Sequence, residues 1–118
     1  MEAPKAAVSA KLAEEIAKFS SIQKDYQKVV STHQQLDEQL NENNIVKQEL
    51  DLLDDSDNVY KLIGPALIKQ ELKEAKDNVQ NRIKYITGEM KKQEELIKKY
   101  EKQQLEQKEV IGKLQKQG

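Results

Sequence analysis

Two tracts in which apolar residues recur at alternating spacings of three and four, separated by one stretch that breaks the pattern, constrain this chain more than any other feature. The first runs Leu12, Ile16, Phe19, Ile22, Tyr26, Val29, His33, Leu36, Leu40, Asn43, Val46, Leu50 and Leu53, with slips at Phe19–Ile22 and around Asn43. The second runs Leu72, Ala75, Val79, Ile83, Ile86, Met90, Gln93, Ile97, Tyr100, Gln104, Gln107, Ile111 and Leu114, and keeps a strict alternation from Ile83 onward. Such spacing holds one helical stripe against a partner helix, the seam of a coiled coil. Neither tract has an internal proline, and Gly88 falls off the seam, where it weakens the helix without touching the interface.

The break is NVYKLIGPALIKQEL, residues 58 to 72. DDSDN before it is a run of turn formers that stops a helix. Val59, Lys61 and Ile63 then alternate with Tyr60 and Leu62, and after Gly64-Pro65 Leu67 alternates with Ala66 and Ile68. Short β-branched runs on either side of a turn read as a β-hairpin. A lone two-stranded hairpin is marginal in water, so this one needs strands from elsewhere.

A chain that reverses near Gly64-Pro65 lays its helices antiparallel. One register then matches Leu12 with Leu114, Ile16 with Val110 or Ile111, Tyr26 with Tyr100, Val29 with Ile97, Leu36 with Met90 and Leu40 with Ile86. It also sets His33 against Gln93, two polar seam positions that can hydrogen-bond. Phe19 and Ile22 would face Gln107 and Gln104, so those layers are expected to be loosely held.

Charge agrees with folding back. From Met1 to Asp57 there are 6 Lys/Arg and 12 Asp/Glu, a balance of −6; from Leu72 to Gly118 there are 12 and 8, a balance of +4. The halves attract each other and repel their own copies. A formal net charge of −1, with Arg82 the only arginine, gives no basic face for nucleic acid or anionic lipid.

Other chemistry finds little to build on. Of 118 residues 35% are charged and 4% aromatic, too few large apolar groups for a compact core of this length. There is no cysteine and His33 is the only histidine, so neither a disulfide framework nor a metal site is expected. DDSDN superficially resembles a calcium loop but lacks the glycine and distal glutamate that loop needs. No nucleophile–base pair, phosphate loop or carboxylate dyad in a pocket is visible, and a pair of helices offers no cleft, so no catalytic residues, cofactor or enzyme activity are expected. MEAPKAAVSA has no basic region followed by an apolar run, and no stretch nears the roughly 18 apolar residues of a membrane span. A soluble, cytoplasmic protein is the expectation.

The stretch QLNENNIVKQELDLLDDSDNVYKLIGPALIKQELKEAKDNVQNRIKYI strongly resembles the prefoldin family, specifically its β-type subunits. The resemblance is carried by ENNIVKQEL, by VYKLIGPALIKQEL, and by the motifs from Ala75 to Val79 and Arg82 to Ile86; the flanking helices match in length and heptad character. It implies a single domain over residues 1–118, mainly α: a long antiparallel coiled-coil hairpin (helices about 8–53 and 71–116) with one central β-hairpin (about 59–69) that joins an intersubunit β-barrel.

The resemblance further implies a subunit of a hetero-hexameric, ATP-independent co-chaperone built with other α-type and β-type prefoldin subunits. Val59, Tyr60, Leu62, Ile63, Leu67 and Ile68 would be barrel residues. The helix ends, carrying Val8, Leu12, Ile16, Phe19, Ile22, Val110, Ile111 and Leu114, would bind unfolded proteins such as actin and tubulin chains and pass them to a group II chaperonin. The competing reading is a coiled-coil scaffold or tethering adaptor for one folded partner, which has no need of strands at its midpoint.

Overall fold

The computed structural model describes residues 5–117. In chain order these form α1 (Lys5–Asp51), β1 (Val59–Ile63), β2 (Ala66–Gln70) and α2 (Leu72–Gln117). Two long helices around a central antiparallel hairpin are the architecture that the spacing of the apolar residues implies.

The hairpin is tight. Ile63 pairs with Ala66, so Gly64 and Pro65 alone make the turn. Gly64 has φ 59°, the sign required at the first central position of a type II′ turn, and Pro65 supplies a φ held near −65° at the second. A Cβ on Gly64 would meet no atom within 4 Å, so backbone conformation rather than space reserves this position for glycine.

Leaving α1, the chain tightens: the Leu52 and Leu53 amides donate to the Glu49 and Leu50 carbonyls at 3.2 and 3.1 Å, the short-range bonds of a closing turn. The acidic run then folds on itself. The Ser56 amide donates to Asp54 Oδ1 at 2.9 Å, the Asp57 amide to the Asp54 carbonyl at 3.0 Å, and the Asp54 amide to Asp57 Oδ2 at 2.8 Å. The Ser56 hydroxyl and amide hold the Asp54 carboxyl below its ordinary pKa. DDSDN is thus a self-satisfied helix stop. At the start of α2 the Ala75 amide donates to the Glu71 carbonyl at 3.0 Å.

The residues form two compact units, one of Gln34–Lys91 and one of the flanking stretches up to His33 and from Lys92. In the first, Leu50, Ala75 and Val79 are buried, with Leu53, Leu72, Ile83 and Val59 packed on them. Val59 opens β1, so it ties the hairpin to the helices. Asn43, a polar seam position, satisfies itself by donating to the Gln39 carbonyl at 2.7 Å. Val46, placed on the seam by its spacing, is instead 41% exposed.

In the second unit the helices run antiparallel, as three cross-helix bonds require: Glu15 to Gln107, Tyr26 to Glu101, and His33 to Glu94. Two details differ from expectation. His33 Nε2 meets Glu94 Oε1 at 3.2 Å rather than Gln93, because Gln93 occupies the seam layer and Glu94 the flank that a long side chain reaches across. More consequentially, Ile16 is 48% exposed while Glu15 is only 5% exposed. The inward positions of α1 here are Val8, Leu12, Glu15, Phe19, Ile22, Tyr26, Val29 and His33, an unbroken four-three alternation. Choosing Ile16 would turn the stripe by about 100°, the angle between adjacent helical residues, and misalign the layers that follow. The seam keeps its phase and buries a carboxylate.

Leu50 is 8% exposed at the centre of the cluster that holds Val59. Leu50→Ala is expected to cost about 2–3 kcal/mol in urea unfolding followed by circular dichroism. An unchanged midpoint would mean that this cluster does not anchor the hairpin.

Candidate functional site: the hairpin and the terminal helix segments

Directly paired residues of an antiparallel ladder share a face. Val59/Gln70, Lys61/Ile68 and Ile63/Ala66 therefore lie on one side of the hairpin, and Tyr60/Lys69 and Leu62/Leu67 on the other. Val59 turns toward the helices, and the larger apolar groups beyond it are uncovered. Tyr60 is 55% exposed, Leu62 and Leu67 68%, Ile63 52% and Ile68 49%. Both faces thus carry apolar side chains, and the two-stranded sheet leaves both its edges unpaired. Covering these five side chains would release on the order of 10 kcal/mol of hydrophobic free energy. The geometry is that of an apolar sheet uncovered on both faces and open at both edges.

Among the terminal segments the structure sorts the expected contact residues into three kinds. Val8 is buried, Leu12, Phe19, Ile22, Ile111 and Leu114 are half-buried in the seam, and Ile16 and Val110 are exposed. Phe19 lies beneath Lys108, whose Nζ is 5.9 Å from the ring centroid, a cation–π arrangement. Its expected neighbour Gln107 is engaged elsewhere.

Gln107 Nε2 donates to the Glu15 backbone carbonyl at 2.8 Å and to its carboxylate at 2.5 Å, and Lys11 and Lys18 approach the same carboxylate at 3.0 and 3.3 Å. These partners, the Gln107 hydrogen bond first, hold the Glu15 carboxyl at about 2 instead of its ordinary 4.5. In turn Glu15 raises the pKa of Lys11. The next polar layer is less settled: the Gln104 amide nitrogen is buried with no hydrogen-bond partner among the described residues. Nearby, Tyr26 donates to Glu101 at 3.3 Å.

A family model described as "Prefoldin subunit" matches residues 13–118. The chain belongs to the prefoldin family. It is 46% identical over 110 residues to prefoldin subunit 6 of Mus musculus, spanning 93% of this chain and 87% of that protein. It is 41% identical over 117 residues to the probable prefoldin subunit 6 of Drosophila melanogaster, spanning 99% and 94%. The fold matches the crystal structure of the prefoldin beta subunit from Thermococcus strain KS-1 with a TM-score of 0.80 at 23% identity, covering 86% of this chain and 89% of that one. The likeness to prefoldin subunit 6 is the one to which the motif around the hairpin points.

Reading the sequence for a prefoldin seam finds neither Glu15 nor Leu105. Glu15 sits among hydrophobic alternatives, and only its distant partner Gln107 explains its burial. Leu105 is 61% exposed and off the heptad stripe, so a search for seam residues passes over it.

The lowered pKa of this buried carboxylate is expected to make the terminal segments acid-sensitive. A carboxyl whose pKa is lowered on folding stabilises the fold above its unfolded value and loses that contribution as pH falls through the folded one. The stability difference between wild type and Glu15→Gln is expected to be largest at neutral pH. It should shrink as pH drops from 4.5 toward about 2, read by thermal melts at stepped pH. A gap that does not change across this window would show that the carboxylate is not what the seam depends on.

Proposed function

We propose that this chain, a single β-type domain over residues 1–118, is one subunit of a hetero-hexameric, ATP-independent prefoldin co-chaperone. Membership of the family supports assembly with other prefoldin subunits, and prefoldin is a chaperone family rather than an enzyme family. The observation that carries the reading is the hairpin. Five large apolar side chains on its two faces are each about half exposed or more, on a sheet too small to stand alone. In this reading Val59, Tyr60, Leu62, Ile63, Leu67 and Ile68 join hairpins of α-type and β-type siblings in a barrel. Closing a barrel removes the open edges and gives each face a neighbour.

The terminal segments are the client-binding part. Unfolded chains of the actin and tubulin kind would engage Val8, Leu12, Ile16, Phe19, Ile22, Val110, Ile111 and Leu114, and pass to a group II chaperonin in the cytosol. The exposures of Ile16, Val110 and Leu105, at 48, 40 and 61%, support this role without opening the seam. Several weak apolar contacts, repeated over several subunits, give avidity without a single tight site, and release needs only a competing surface. Among the described residues no helix is long and apolar enough to cross a membrane.

Two sets of variants separate assembly from client binding. Ile63→Lys with Leu67→Lys is expected to abolish the hetero-oligomer formed on mixing with sibling subunits, measured by native mass spectrometry, while helicity is retained. Ile16→Ser with Leu105→Ser and Val110→Ser should leave that oligomer intact and weaken suppression of aggregation of a denatured actin client several-fold. A wild-type chain that ignores siblings and instead binds one folded protein stoichiometrically would support the tethering adaptor.

A further inference from the structure

One hollow in the terminal unit is built mostly from residues outside both the seam and the hairpin. It is a groove of about 610 Å³ along α1, lined by Ser20, Gln23, Lys24, Gln27 and Lys28, with Gln104 contributed by α2. The five α1 residues recur at spacings of three, one, three and one, so they share one helical face. Tyr26 also borders the groove, but its hydroxyl is committed to Glu101.

The chemistry of this groove is one-sided. No Asp or Glu lines it, although the chain holds 21 of them, and its charged groups are Lys24 and Lys28. Like charges four residues apart on a helix repel each other, so an anion held between them replaces repulsion with attraction. Ser20, Gln23 and Gln27 carry further donors. The Gln104 amide nitrogen is buried with no hydrogen-bond partner among the described residues, and an acceptor that enters the groove would satisfy it. Charge over the whole unit agrees. Residues 1–33 and 92–118 hold 12 Lys and 9 Asp/Glu, a balance of +3, whereas residues 34–91 hold 8 Lys/Arg and 12 Asp/Glu, a balance of −4.

An apolar side chain stands beside the cations. Ile16, 48% exposed, lies on the same side of α1 one turn before Ser20 and two turns before Gln23. At a rise of about 1.5 Å per residue, Ile16 and Lys24 are separated by about 12 Å along the helix, roughly the length of four residues of extended chain. A polypeptide lying along this face can therefore set an apolar side chain on Ile16 and a carboxylate between the two lysines.

We propose that this groove is a subsite for acidic side chains of an unfolded client, and that it makes this subunit select segments in which Asp or Glu follows an apolar residue at short range. The proposal rests on the client binding described under Proposed function and names the class of client. Lys24 and Lys28 hold the carboxylate, Gln104 and the neighbouring amides donate to it, and Ile16 takes the apolar side chain. Charge complementarity of this kind adds discrimination and speed of encounter to an otherwise unselective apolar contact.

The test compares complexes reconstituted with the same wild-type siblings and differing only in this chain. The probes are two labelled, unstructured peptides that carry leucines and, four residues from each, either glutamate or lysine; binding is read by fluorescence anisotropy. Lys24→Glu with Lys28→Glu is expected to weaken the glutamate peptide about three- to fivefold and to leave the lysine peptide no weaker. Ile16→Ser should weaken both peptides alike. Lys98→Glu with Lys99→Glu makes the same change of charge in the same unit but away from the groove, and should leave the glutamate peptide close to wild type. An equal loss in the two double variants, or no loss in Lys24→Glu with Lys28→Glu, would overturn the proposal. If the wild-type complex suppresses aggregation of denatured actin and either of these results is found, the groove assignment alone falls. If it binds neither peptide nor denatured actin, the client-binding reading falls with it.

Discussion

The phase of the helical seam is the constraint on which the rest depends. A residue one position off the stripe points about 100° away, so α1 cannot exchange a hydrophobic for a polar seam residue locally without disturbing the layers beyond. Glu15 shows how strong that constraint is. Its isoleucine neighbour is left 48% exposed while the carboxylate goes in, and the burial is tolerable because Gln107, Lys11 and Lys18 satisfy it. A single paired polar group in a seam also disfavours other alignments of the two helices, the best-attested use of such groups.

The same economy explains why the hairpin stands open. With 36% hydrophobic residues committed largely to two seams, the chain places only Val59 of the hairpin's larger apolar groups against its helices. Such a hairpin is marginal by itself and exposed at its edges, which supports the proposed pairing with hairpins of other subunits. Prefoldin family membership and the uncovered hairpin therefore point the same way.

How much of this was legible depended on the range over which each residue is decided. The α2 seam reads directly, because from Ile83 onward its apolar and glutamine positions repeat strictly and every position the spacing names is buried or partly buried. The turn at Gly64-Pro65 reads directly too, since a positive φ and a fixed negative one are properties of those two residue types. The α1 seam near Glu15 does not, because the residue that justifies its burial is 92 positions away. His33 fails by one position for a related reason: spacing names the opposite layer, but a histidine bonds to whichever long side chain on the flank can reach it.

Periodicity, charge distribution and turn chemistry are local properties, and they suffice to establish two long helices, a reversal between them, and a hairpin too apolar to remain alone. The resemblance around the hairpin adds the family from the same residues. Which side chains end up accessible belongs to tertiary packing: Ile16, Val110 and Leu105 outside, Glu15 inside. Exposure is set by the neighbour across the seam, and no count along a single helix contains that neighbour.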